Sequence, residues 1–312
     1  MSAIGAAFRG LGKVLGSPSV VVSLWLANVA LALPVAAVVA ESIGESVGGS
    51  LVDEKLRDGF DMGWYGEYQA HARGIESTFT PSVVGAGAFF NNIDAWFNGT
   101  LFETHVGLLG LGILYALLWS LCLGGVLHRY GEASGLFRLS EFLSSGGEYF
   151  FRFVRLAMLS GVLYYAIYRF SGWLFGRIEH ATRDVTAEES VFAYVVVASL
   201  FVVFLLTFVN MAFDYAKIAT FRENRHSMLL ASVKGIGFVL SHLGRTMSLY
   251  YGLGAVGVVL LFVYYAFAPG PGQSSMMGVA AAFAVGQVYL VAKLVLRLTF
   301  YSAQMAVFDD AR

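Results

Sequence analysis

Six stretches of about 20 apolar residues, nearly free of charge, recur along the chain at 20–40, 106–127, 156–176, 191–213, 247–268 and 276–295. A helix rises ~1.5 Å per residue and the hydrocarbon core of a bilayer is ~30 Å thick, so roughly 20 residues cross it. The pattern therefore predicts an all-α, polytopic membrane helix bundle of about six transmembrane helices, a single membrane domain covering 1–312. Residues 2–15 behave differently. Ile4, Phe8, Leu11 and Leu15 fall at helical spacing beside Arg9 and Lys13, which predicts an amphipathic helix lying on the membrane surface.

The two connectors on the same side of the membrane, 137–156 and 226–249, repeat a pattern. Each is a mostly apolar helix with sparse charge, containing glycines and ending in an arginine, Arg155 or Arg245, just before the next span. Aligning Gly147 with Gly237 brings the two arginines into register. The expectation is a duplicated unit of span, interfacial amphipathic elbow helix and span, with each arginine meeting headgroup phosphates. On the opposite side, 41–105 is the sizeable extramembrane insertion. It holds ten acidic residues against Lys55, Arg57 and Arg73, with aromatics such as Trp64, Tyr68, Trp96 and Phe97 threaded through it. Two or three helices folded onto the membrane surface are predicted, with a break at Thr80-Pro81-Ser82 and the aromatics serving as an interfacial belt.

Charge orients the bundle. The N-terminal segment, the two elbow connectors and the C-terminal region hold fourteen of the 20 Lys and Arg residues. By the positive-inside rule both termini are expected in the cytoplasm. A competing reading exists for 20–40: its basic flank, apolar run, Pro34 and small residues ending at Ala40 imitate a cleaved secretory signal, although Trp25 and Asn28 interrupt the run.

Composition sharpens the class. Apolar residues make up 57% and charged residues 13% of the chain, and the mean hydropathy is +0.68. Soluble domains are nearer 45–50% apolar and ~25% charged. The net charge of -1 gives no basic footprint for nucleic acid. The single cysteine, Cys122, leaves no internal disulfide framework and no cysteine metal site.

Polar groups within spans are costly and so mark candidate sites. Arg169 lies near the outer end of span three, placed to snorkel to headgroups or to pair with Glu179, Asp184, Glu188 or Glu189. Asp214 closes span four, and Lys293 and Arg297 sit four residues apart on the last helix. A contact from Asp214 to Lys293 or Arg297 is expected to staple span four to span six. Asn28, Asn210 and Gln287 are neutral and suit interhelical hydrogen bonds, while Gly107, Gly110, Gly252, Gly254, Gly257 and Gly278 suit close helix packing.

Catalytic signatures are missing from the sequence: no HExxH, no phosphate-binding GxxxxGK[ST] and no Gly-x-Ser-x-Gly. The six histidines are scattered. No catalytic residue, metal ligand or cofactor is expected. Four segments carry a resemblance: GGVLHRYGE at 124–132, GEYFFRFVRL at 147–156, DYAKIATFREN at 214–224 and GFDMGWYGEY at 59–68. On these the chain resembles an uncharacterised bacterial six-span inner-membrane protein family and, more loosely, the membrane domain of some glycerophosphodiester phosphodiesterases. The resemblance implies the topology and a bacterial inner membrane; the catalytic barrel of those enzymes has no counterpart here.

The expected role is a non-catalytic interaction or assembly component of the cell envelope, with membrane lipids and a protein partner or second copy as contacts. The alternative is a transporter or permease subunit whose elbows dock an ATPase, and a lipid-headgroup enzyme stands third. A permease predicts a continuous polar cavity reached by Asn28, Asn210 and Gln287. A structural component predicts those groups satisfied in a dry bundle.

Overall fold

The computed structural model describes residues 1–48, 55–56, 61–79, 86–101, 106–132, 135–183, 185, 187–268 and 275–312. Every regular element among them is helical. The order is α1 (Ala3–Leu15), α2 (Pro18–Val47), α3 (Met62–His71), a 3-10 turn (Gly74–Thr78), α4 (Ala86–Phe97), α5 (Val106–Gly131), α6 (Leu139–Thr182), α7 (Glu188–Arg222), α8 (Met228–Ser241), α9 (Leu243–Phe267) and α10 (Met276–Asp310). Six of these, α2, α5, α6, α7, α9 and α10, are long and apolar enough to cross a membrane, as the hydropathy pattern predicts.

Local chemistry sets the boundaries. Gly16 and Ser17 separate α1 from α2, and Pro18 occupies the first turn of α2, where its missing N–H costs no hydrogen bond. The helix then runs through Pro34 and past Ala40 to Val47. Asn224, in the left-handed region at φ 46°, turns the chain between α7 and α8, a conformation asparagine tolerates better than most residues. The side chains of Ser227 and Ser275 cap the starts of α8 and α10 by accepting from Leu230 and Gly278 N–H groups.

The two elbows differ. The second is a separate helix, α8, joined to α9 at His242. The first is not separate: α6 is one continuous helix of 44 residues, ~66 Å long at ~1.5 Å per residue. About half of α6 therefore extends beyond a ~30 Å core. Gly146 and Gly147 do not break it because Gly146 is locked against α5, where an added Cβ would lie 2.5 Å from the Leu121 carbonyl oxygen.

The structure also relocates the close-packing glycines. Of the glycines expected to pack closely, Gly257 lies against Leu296 of α10, 3.2 Å from an added Cβ, whereas Gly110, Gly252 and Gly254 have open space where a Cβ would sit. The tight approaches are at Gly10 against Ala303, Gly124 and Gly125 against Ser145 and Phe142, Gly146 against Leu121, and Gly235 against Ala212. They join α1 to α10, α5 to α6, and α7 to α8. Gly235 and Gly146 thus make the elbow contacts, whereas Gly237 and Gly147 face open space, so the expected register is off by one residue.

Helix α1 forms where predicted, with its larger apolar side chains facing outward and a strip of small residues packed inward. Ala6, Gly10 and Val14 are buried against α10, while Ile4 and Phe8 are 70% and 71% exposed. Lipid is as apolar as leucine, so a large side chain gains nothing by leaving it, whereas small residues let backbones approach. The same rule explains where the core lies. Buried side chains crowd the end of the bundle that carries both termini: Trp119 to Tyr130 of α5, Phe142 to Leu156 of α6, Met211 to Phe221 of α7 and Leu294 to Phe308 of α10. We call this the termini end.

On the opposite side, α3 and the 3-10 turn pack beside α2. Ser42 bonds Glu76 at 3.0 Å, and Trp64 Nε1 donates to Ser46 at 3.1 Å. Helix α4 precedes Gly99, whose carbonyl accepts from Tyr168 of α6 at 2.5 Å. The expected break at Thr80-Pro81-Ser82 lies outside the described residues.

Candidate functional site: a basic, tyrosine-lined cavity in the bundle

Five of the spanning helices, α2, α5, α7, α9 and α10, surround a cavity of about 500 Å³. Helix α10 supplies Tyr289, Lys293, Arg297 and Tyr301, which recur every four residues and so share one face. Helix α7 supplies Asn210, Asp214 and Lys217, at spacings of four and three, while Asn28, Tyr115 and Tyr250 arrive from α2, α5 and α9. Leu290, Leu294, Leu296 and Phe300 complete an apolar share of the lining.

Five of the seven intramembrane candidates thus border one space. Their partners differ from expectation. Asp214 does not reach Lys293 or Arg297. Its carboxylate takes Lys217 Nζ at 3.0 Å, three residues along the same helix, and Gln304 Nε2 at 3.4 Å from α10. The link between spans four and six therefore exists, made by a neutral amide. The intrahelical lysine is closer because a spacing of three puts both side chains on one face. Lys293 stands over the Tyr289 ring at 5.4 Å. Arg297 lies 3.5 Å from the centroid of Trp119 and donates from Nη1 to Tyr115 Oη at 3.1 Å.

The neutral candidates divide. Asn210 donates to Tyr250 Oη at 2.6 Å, tying α7 to α9, and Asn28 donates to the Leu24 carbonyl of its own helix at 2.7 Å. Gln287 lies outside the cavity lining and accepts from Trp25 Nε1 at 2.8 Å, joining α10 to α2.

Beyond the cavity, several cations of the termini end are paired with carboxylates. Arg222 binds Asp309 at 2.5 Å, Arg245 binds Asp310, and Glu223 lies 2.5 Å from Arg225 and 3.8 Å from Lys234. Lys13 donates to the Tyr130 carbonyl at 2.9 Å, and burial, reinforced by the nearby Arg222 charge, pulls its pKa below the usual lysine value. The two elbow arginines are not equivalent. Arg245 bonds the end of α10, whereas Arg155 is exposed and bonds only the Phe151 carbonyl of its own helix, at 3.2 Å. The exposed Arg155 is free to meet headgroups as expected, so the departures from the duplicated-elbow pattern are the unbroken α6 and the pairing of Arg245 with Asp310.

Arg169 sits at the far end, exposed, beside Trp96, Tyr168 and Glu179 around a second hollow of about 780 Å³. Ion pairing with Glu179, Glu188 or Glu189 is not formed, and Asp184 lies outside the described residues. The snorkelling geometry fits its position.

Sequence reasoning missed Tyr115, Trp119, Tyr250, Tyr289, Tyr301 and Gln304, and it placed Lys217 in a connector. One signal was present in the chain: Tyr289, Lys293, Arg297 and Tyr301 form a polar stripe at four-residue spacing in an otherwise apolar helix. Among the described residues, no three His, Cys, Asp or Glu side chains gather into a set that could hold a metal ion. The arrangement offers cations, hydroxyls and amides around a recess, which is chemistry for holding a ligand. Compared with known proteins, the chain matches no family model, no curated protein and no solved structure, so the reading of this cavity rests on its own residues.

Proposed function

We propose that the protein is a non-catalytic, multi-pass component of the bacterial inner membrane, its termini end in the cytoplasm, that binds a polar or amphipathic ligand inside the six-helix bundle as part of a transport or lipid-handling system. The observation that carries this reading is the cavity of about 500 Å³ into which five helices direct ten polar side chains. The charged ones lie toward the termini end of their helices, and polar groups in a spanning helix persist where they face a recess or a partner. Here Asn28 and Asn210 border one open space, two of the three groups that the permease reading places there, although each also has a hydrogen-bond partner. Gln287, bonded to Trp25, serves packing instead. The excess of Lys and Arg at the termini end supports the orientation.

A second reading, an assembly component that docks a cytoplasmic partner, draws on α8. Its Leu229, Leu230, Val233 and Leu240 are all exposed, a face suited to the headgroup layer or to another protein.

The test uses Asn28→Cys in a Cys122→Ala background, labelled with a membrane-impermeant thiosulfonate. Labelling from inverted vesicles but not from right-side-out ones is expected. Protection from both sides overturns the open cavity, and labelling from the outside overturns the orientation.

A further inference from the structure

The cavity carries an excess of positive charge. It holds three cations, Lys217, Lys293 and Arg297, and one carboxylate, Asp214. That carboxylate is already committed to Lys217 and Gln304. Among the described residues no Asp or Glu lies in ion-pair range of Lys293 or Arg297. At the same end Arg222, Arg225 and Arg245 each have a carboxylate, while Lys13, Arg129 and Arg152 bond neutral oxygens. Lys293 and Arg297 differ from both groups in lining this recess. Two uncompensated cations one helical turn apart, facing a recess, call for an anion from elsewhere.

The way Arg297 is held points the same direction. Its guanidinium is fixed against Trp119 at 3.5 Å and bonded to Tyr115 at 3.1 Å, with the Tyr301 hydroxyl as a second partner, which still leaves some of its five N–H donors for a ligand. A planar, oriented fork of this kind suits a phosphate better than a mobile ammonium does. Depth agrees as well. At ~1.5 Å per residue from Met276, Lys293 and Arg297 lie roughly 26 and 32 Å along α10, which is the boundary of a ~30 Å hydrocarbon core and the level of headgroup phosphates. The leucines and Phe300 that share the lining give a neighbouring surface for apolar chain.

We propose that the cavity binds a net-anionic phosphate group, held by Lys293 and Arg297, and that the phosphate belongs to a glycerophospholipid headgroup. This rests on the ligand-binding reading above and adds the chemical class of the ligand.

The experiment is thermal unfolding of the delipidated full chain in detergent, with three additions compared: dihexanoylphosphatidylglycerol, dihexanoylphosphatidylcholine and inorganic phosphate. The phosphatidylglycerol is expected to raise the midpoint about 2–4 °C more than the zwitterionic lipid of equal chain length, as occupancy of one native-state site should. Lys293→Gln with Arg297→Gln should erase that difference. If this pair does not fold, Lys293→Gln alone, at an exposed side chain, should reduce it. Equal shifts from the two lipids in the unaltered protein overturn the proposal. An equal shift from inorganic phosphate keeps the anion site but overturns its lipid source. Labelling at Asn28→Cys without lipid discrimination leaves the ligand-binding reading standing and removes this one; absence of labelling removes both.

Discussion

Gln304 of α10 reaches across to Asp214 of α7, its amide nitrogen 3.4 Å from the carboxylate oxygen that Lys217 does not use. The two residues are almost fully buried, so one carboxylate serves both as the counter-charge for a lysine and as the acceptor for a neighbouring helix. Removing it strands Lys217. Asp214→Ala is expected to destabilise the solubilised protein by about 3–5 kcal/mol, the cost of leaving a buried charge unmatched. Asp214→Ala with Lys217→Met should recover most of that loss. Unfolding midpoints of the two variants decide it, and an unchanged midpoint for the single variant refutes the pairing.

Neighbouring glycines provide an internal control on packing. An added Cβ at Gly146 would lie 2.5 Å from Leu121 O, and one at Gly147 would meet open space. Gly146→Ala should cost about 1–3 kcal/mol through overpacking, whereas Gly147→Ala should be neutral or stabilise by about 0.5–1 kcal/mol from helix propensity. Equal effects in a denaturation series would contradict the packing described for α5 and α6.

The docking of α1 gives a similar contrast. Gly10→Leu drives a side chain into Ala303, where even a Cβ sits 2.9 Å from the backbone nitrogen. It should release α1 and expose it to protease in detergent. Gly12→Leu, with nothing within 4 Å of its Cβ, should leave the cleavage pattern of the parent protein.

Charge reversal should separate the two elbow arginines. Arg245→Glu puts a second carboxylate against Asp310, to which Arg245 is bonded, and should lower the unfolding midpoint clearly. Arg155→Glu acts on an exposed side chain bonded only within its own helix, and should fall within ~0.5 kcal/mol of the parent, as surface substitutions usually do. Matching losses would restore the duplicated-elbow picture.

These contrasts mark where sequence reading stops. The six spans were legible because hydropathy is a local property and each run is long enough to cross on its own. Helix length was less so, since the charged residues of 139–155 are as helical as the apolar ones that follow. The seat of α1 on α10 is not legible in the sequence, for a physical reason. An amphipathic pattern tells which side is apolar, but in lipid the side that packs is the smaller one, here Ala6, Gly10 and Val14. In the site, the sequence marks Asp214 as a costly polar group inside a span. Its partner was sought among distant cations when Lys217 stood three residues away, and Gln304 carried no charge to draw notice. The tyrosines and Trp119 were hidden because an aromatic in a span reads first as packing.

The seat for α1 on α10 has a consequence for biogenesis. Gly10 and Ala303 are separated by roughly 290 residues, so the surface that receives α1 is synthesised long after it. At about 5–20 residues per second, the Ala6–Gly10–Val14 strip waits some 15–60 s without its acceptor while the intervening spans insert. A polypeptide interrupted before Ala303 therefore leaves that strip without its seat.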